Sequence, residues 1–130
     1  MTSFTVVNLK ELEDGAAARS PQLEARFARS HLDSDHLGVS YFRYGPGYRG
    51  GMGHHHREQE EAYVVVRGSG RVKVDNDIVE LRQWDAIRFD VDTMRDMEGG
   101  PDGMEYVAFG AGEDPRDAEM AQGWWVDPDA

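Results

Sequence analysis

Apolar and polar side chains alternate with a period of two along much of the chain. Residues 71–75 put Val72 and Val74 on one face and Arg71, Lys73 and Asp75 on the other, the pattern of a half-buried strand. The same reading predicts strands over residues 4–9, 39–44, 62–66, 78–81, 86–89, 94–97 and 104–109. Turn residues separate them: Gly45-Pro46-Gly47, Gly68-Ser69-Gly70, Asp75-Asn76-Asp77 and the strong signal Gly99-Gly100-Pro101-Asp102-Gly103. Residues 22–30, after Pro21, fit a short helix with Leu23 and Phe27 on one face, or an edge segment. The polar residues 113–120 fit one or two helical turns, and Trp124-Trp125-Val126 a short strand or an anchor on the body. No repeat or linker interrupts the pattern. Short strands at this spacing predict an all-β antiparallel sandwich or barrel with minor helical turns.

The chemistry sits between two of these strands, at His54-His55-His56. On extended backbone His54 and His56 share a face and His55 takes the other. Two imidazoles followed by a carboxylate form the donor set of a 2-His-1-carboxylate metal site with open positions; a solvated histidine loop is the competing reading. The order is ligand segment, strand, Gly turn, strand. His54, any residue, His56, four residues, Glu61, six residues and Gly68 resemble the first motif of the cupin superfamily. Glu60 is the rival carboxylate, and counting back from Gly68 favours Glu61. The opening glycine of the motif falls on Tyr48, with Gly45, Gly47, Gly50, Gly51 and Gly53 around it.

The second cupin motif is altered. Asp85 and the strand after it are kept, Asp90-Val91-Asp92 stands where the family has Pro-any-Gly, and Arg95 stands at the last metal-ligand histidine. An arginine offers donors only and stays charged, so it cannot bind a metal. The resemblance covers about residues 38–109 and implies a cupin-type antiparallel β-barrel (double-stranded β-helix, jelly roll). It implies one domain over residues 1–130, with N- and C-terminal extensions packed on the barrel core.

For function the resemblance implies a divalent metal ion (Fe, Mn, Ni, Cu or Zn) on His54, His56 and Glu61, and a small-molecule ligand or substrate. Chemistry of dioxygenase or isomerase type fits such a site, although the fold does not choose among reactions. Arg95 has two readings: a clamp for an anionic substrate group, or a partner of Glu61 that replaces the metal. The second gives a non-enzymatic, metal-free binding or sensing module. Counting by twos from Glu61 places Tyr63 on the ligand face, where it or Tyr41 is a candidate proton donor; Met97 shares the face of Arg95. Trp84, Trp124 and Trp125 read as anchors of the core or of a dimer interface. His31 and His36 read as ordinary loop histidines, and Asp90 and Asp92 as solvated acids.

Composition narrows the partners. A chain of 130 residues has room for one core. Its formal net charge of -11 repels phosphate backbones and argues against nucleic acid. No apolar run reaches the length of a membrane span and the N-terminus lacks signal-peptide regions, so the expectation is a cytoplasmic protein with no membrane partner. Without cysteine any metal must sit on nitrogen and oxygen. The resemblance also implies a homodimer, since small cupins commonly pair through their sheets.

Overall fold

A computed structural model describes residues 3–112 and 116–127. The period-two segments form β1 (Leu23–Phe27), β2 (Leu37–Tyr44), β3 (Met52–His56), β4 (Glu60–Val74), β5 (Asp77–Leu81), β6 (Ala86–Phe89), β7 (Arg95–Ala111) and β8 (Ala118–Gln122). Every pairing is antiparallel. Hydrogen bonding runs β1-β2-β7-β3-β8, and β4 joins the sheet through β7 while also pairing β5 and β6. No described helix is long and apolar enough to cross a membrane.

β4 and β7 hold 15 and 17 residues, too long for one flat sheet in a chain of this size, since a strand rises about 3.3 Å per residue. They bend instead. Register shifts at Val65/Arg67 and Gly68/Gly70 curl the pair, as bulges do, and the sheet closes on itself. The glycine-rich stretch 99–103, expected to be a turn, is the middle of β7. Its composition serves close approach: a Cβ at Gly99 would lie 2.5 Å from the Gly45 carbonyl oxygen. Gly103, at φ +80°, holds a backbone shape that side chains disfavour.

The interior is filled by Tyr63, Val65, Val72, Met97, Met104 and Tyr106. Tyr106 stacks on Tyr63 and on Phe42, each with ring centroids 5.0 Å apart, and Phe89 meets Tyr63 edge-on at 4.9 Å. Offset and edge-on pairs of this kind add to the burial of the rings. They form a rigid floor under the strand ends that carry the histidines.

Three further expectations change. Residues 4–9 form no strand: Phe4 and Val6 stay exposed, and the segment leads into a 3₁₀ turn, Leu9–Glu11, capped by the Asn8 side chain. Its alternation finds no ladder because β1 pairs with the available edge of β2, which also settles residues 22–30 as an edge strand. The helical turns expected over 113–120 fail where they are described, since Ala118–Gln122 is strand β8 paired with β3; residues 113–115 lie outside the described residues. Trp84 is not a core anchor, being 69% exposed at φ +71°, which leaves the interface alternative of its reading. Trp125, by contrast, is buried with the Arg49 guanidinium over its ring, and Trp124 lies against Gly53.

Candidate metal centre

β3 presents its histidines as alternation requires. His54 and His56 face inward with ring centroids 5.3 Å apart, while His55 turns outward to Glu119 at 2.9 Å. Glu61 enters from the start of β4, placing Oε1 3.1 Å from His56 Nε2 and 3.9 Å from His54 Nε2. One ligand atom from each of the three residues lies within 4.8 Å of the others. This donor set of two nitrogens and one oxygen could hold a divalent ion with positions left open. Glu60, the rival carboxylate, points away and pairs with Arg88 at 2.7 Å.

Tyr63 lies two residues on, its hydroxyl 3.4 Å from both His54 Nε2 and Glu61 Oε1. It is buried, and desolvation pushes its phenol well above the usual range, so it stays protonated. Arg95 is the register partner of His54. Its guanidinium donates to Glu61 Oε1 and, at 3.0 Å, to the Thr93 carbonyl, and it lies over the Phe89 ring at 4.7 Å. No part of Arg95 is exposed. The guanidinium is paired with Glu61, while its Nε has no hydrogen-bond partner among the described residues and Arg95 lines the cavity.

Asp117 escaped the sequence reading. It follows residues 113–115 and carries no motif, and it reaches the site only because β8 pairs with β3. Its Oδ1 lies 2.6 Å from His56 Nδ1 and accepts from Gln59 Nε2 at 2.8 Å. Its Oδ2 accepts from the backbone N–H groups of Glu58 and Gln59. Burial would raise this carboxyl, but His56 and these donors hold it well below the usual carboxylate range. Asp117 is therefore ionised and accepts only, so His56 Nδ1 carries the proton.

In neutral His56 the lone pair then sits on Nε2, facing Glu61 Oε1 at 3.1 Å. Two acceptors at that separation need a proton or a cation between them. A carboxylate behind the imidazole is also the usual support of a metal-bound histidine. The residues fit a metal on these grounds. Burial lowers the His56 pKa, but Glu61 and Asp117 outweigh it and hold the pKa above the ordinary value. Burial dominates at His54 and lowers its pKa. Burial would raise Glu61, but the two imidazoles and Arg95 keep it ionised.

The cluster opens on a cavity of about 490 Å³ whose wall includes Phe42, Tyr106, Met97, Met52 and Met120. Asp96, also unanticipated from the sequence, lies in the same wall.

No protein-family model matches the sequence, nor does any curated protein sequence. Solved structures do match. A cupin protein from Bacteroides fragilis superposes with a TM-score of 0.72 at 16% identity, over 98% of this chain and 99% of that one. The polyketide cyclase RemF from Streptomyces resistomycificus gives 0.72 at 17%, over 96% and 88%. Oxalate decarboxylase from Bacillus subtilis gives 0.67 at 22%, over 84% of this chain and 30% of that longer one. At these identities the likeness speaks for architecture, and this chain has the cupin fold, a double-stranded β-helix.

Proposed function

We propose that this chain processes a small molecule at a divalent metal held by His54, His56 and Glu61. The observation that carries the reading is the Asp117–His56 hydrogen bond, which in neutral His56 turns the Nε2 lone pair toward Glu61 and the cavity. A bound divalent ion would supply Lewis-acid or redox chemistry at its open positions. The protein's part is to fix the His56 tautomer through Asp117, keep Glu61 ionised through Arg95, and shape the cavity with aromatic and methionine side chains. Tyr63 can give a proton to a ligand bound beside His54, because burial keeps its hydroxyl protonated. Arg95 acts through Glu61 and is a positioning residue. The two enzymes of this fold named above, a cyclase and a decarboxylase, support an enzymatic reading; dioxygenase or isomerase chemistry is the class that the open donor set suggests.

A second reading rests on a different contact. Arg95 donates to the same Glu61 oxygen that a metal would use, and a fixed guanidinium can stand in for a cation. In that case the chain is a metal-free cupin that binds or senses a small molecule.

Metal content of tag-free protein, measured by plasma mass spectrometry beside the His54→Ala/His56→Ala double variant, separates the two. The expected result is near-stoichiometric metal that the double variant loses. Protein that carries no metal, and takes none up at micromolar concentration, sinks the first reading and leaves the second.

A further inference from the structure

Asp96 is 4% exposed, lines the cavity, and takes no part in the metal cluster. Its two oxygens differ. Oδ1 accepts from the Met97 backbone N–H at 2.9 Å. Oδ2 is buried and has no hydrogen-bond partner of normal geometry among the described residues, the Gly51 backbone N–H acting on the carboxyl only weakly beside that of Met97. A buried polar atom left unpaired costs about 1–3 kcal/mol, more when charged, so native structures rarely keep one without use. Burial pushes this carboxyl up to about 6. The cation that acts on it is Arg49, which is already engaged by Glu98, Asp127 and the Trp125 carbonyl.

The surroundings are built to admit something. Gly50 has no side chain where one would meet Asp96 Oδ1 at 2.5 Å and the Tyr44 hydroxyl at 3.1 Å. Any other residue would crowd both groups. Tyr44 is tied back to Tyr106 at 3.3 Å, so two polar groups stand together in a wall that also carries Phe42, Met97 and Tyr106. The mouth is apolar as well: Phe27, Met52 and Met120 line the cavity while remaining 54%, 36% and 64% exposed.

We infer that Asp96 Oδ2 is a recognition point for a ligand with a ring-sized apolar body and a protic O–H or N–H group, the apolar body lying between Asp96 and the histidine cluster. A site that presents a buried acceptor discriminates strongly against an analogue lacking the donor, because the acceptor is then left unpaired. The body is held by the aromatic and methionine wall, and the donor fixes its direction.

The test uses toluene, benzyl alcohol and benzylamine as probes, titrated into chelator-treated full-length protein and followed by NMR. Metal is removed so that the outcome does not depend on whether the histidine cluster binds one. At least one protic probe should bind about tenfold or more tighter than toluene, and move the carboxyl carbon signal of Asp96 in protein labelled at aspartate. Asp96→Asn should abolish a preference for benzylamine, since its amide offers that amine a donor, and Asp96→Leu should abolish a preference for the alcohol. Toluene binding as tightly as both, no binding by any probe, or a protic preference that survives both variants overturns the inference. If Asp96→Leu does not fold, the Asp96 carboxyl signal in the unsubstituted protein decides: a protic probe that binds without moving it is equally fatal.

Discussion

Glu61 Oε1 faces the Arg95 guanidinium, His56 Nε2 at 3.1 Å and the Tyr63 hydroxyl at 3.4 Å. Arg95 is wholly buried and the Glu61 side chain nearly so, so neither charge has water to fall back on. Removing one partner of such a pair costs about 3–5 kcal/mol, because the other is left buried and uncompensated. Arg95→Ala should therefore lose stability of that order in metal-free protein. A divalent ion on Glu61 would replace the missing positive charge. Urea unfolding with and without zinc is the measurement, and zinc should stabilise Arg95→Ala by more than it stabilises the unsubstituted protein. Equal increments would mean that no cation reaches Glu61, and would count for the metal-free reading.

At the scale of elements, the site depends on β3 being sandwiched between β7 and β8. β3 meets β7 only at His54↔Arg95, whereas β8 pairs along the whole of β3, from Met52↔Gln122 to His56↔Ala118. β8 and the Trp124 that follows it are therefore the main support of the histidine strand. Gly53 sits at the contact: a Cβ there would lie 2.6 Å from Trp124 Cε3, with a rigid indole that cannot rotate away. Gly53→Val should push β8 off β3, cost about 1–3 kcal/mol of stability by overpacking, and loosen the Asp117–His56 bond with it. Losing such outer support typically lowers metal affinity about 10–100-fold. Competition for zinc against a chromophoric chelator should show that loss, and Trp124→Ala in the same chain should restore part of it. Unchanged zinc affinity in Gly53→Val would show that β8 does not support the site.

Element pairing also explains what could be read in advance. His54, His56 and Glu61 were legible because strand alternation and short chain separation set their geometry; Gly68-Ser69-Gly70 was expected to be a turn, but it lies inside β4, at the bulge where that strand bends along β7. Arg95 was legible because the altered second motif put it at the ligand position, and pairing with Glu61 was one of its two readings; its complete burial was not. Asp117 and Asp96 were invisible, since a lone aspartate acquires its neighbours only through β3–β8 pairing or the curl of β7. The stretch 99–103 misled for a related reason: glycines that permit close backbone approach inside a bent strand have the same composition as glycines that reverse a chain.

For the whole molecule, the carboxylates of the histidine cluster and of the cavity wall pull the pH dependence of stability in opposite directions. Glu61 and Asp117 are held below their ordinary values, so their stabilisation is present above the unfolded carboxylate range and is lost as pH falls through it. Asp96 has the reverse sign. Its folded value, about 6 against an ordinary 3.8, means that the folded state holds a proton the unfolded state has released. Stability therefore falls as pH rises from about 4 to 6, by up to about 3 kcal/mol at 1.36 kcal/mol per unit. His56, also raised, loses stabilisation as pH rises through its own folded value, so the raw curve mixes both groups. The difference between Asp96→Asn and the unsubstituted protein isolates Asp96. Asparagine keeps the acceptor for the Met97 N–H but carries no charge to desolvate. The variant should gain stability over the unsubstituted protein above pH 6, and the gain should shrink to nothing below pH 4. Thermal and urea unfolding across that range test it, and a difference that does not vary with pH would show that Asp96 is not desolvated as its place in the cavity wall requires. A gain at neutral pH accompanied by weaker binding of a protic probe would be the signature of a group held at a cost to the fold because a ligand uses it.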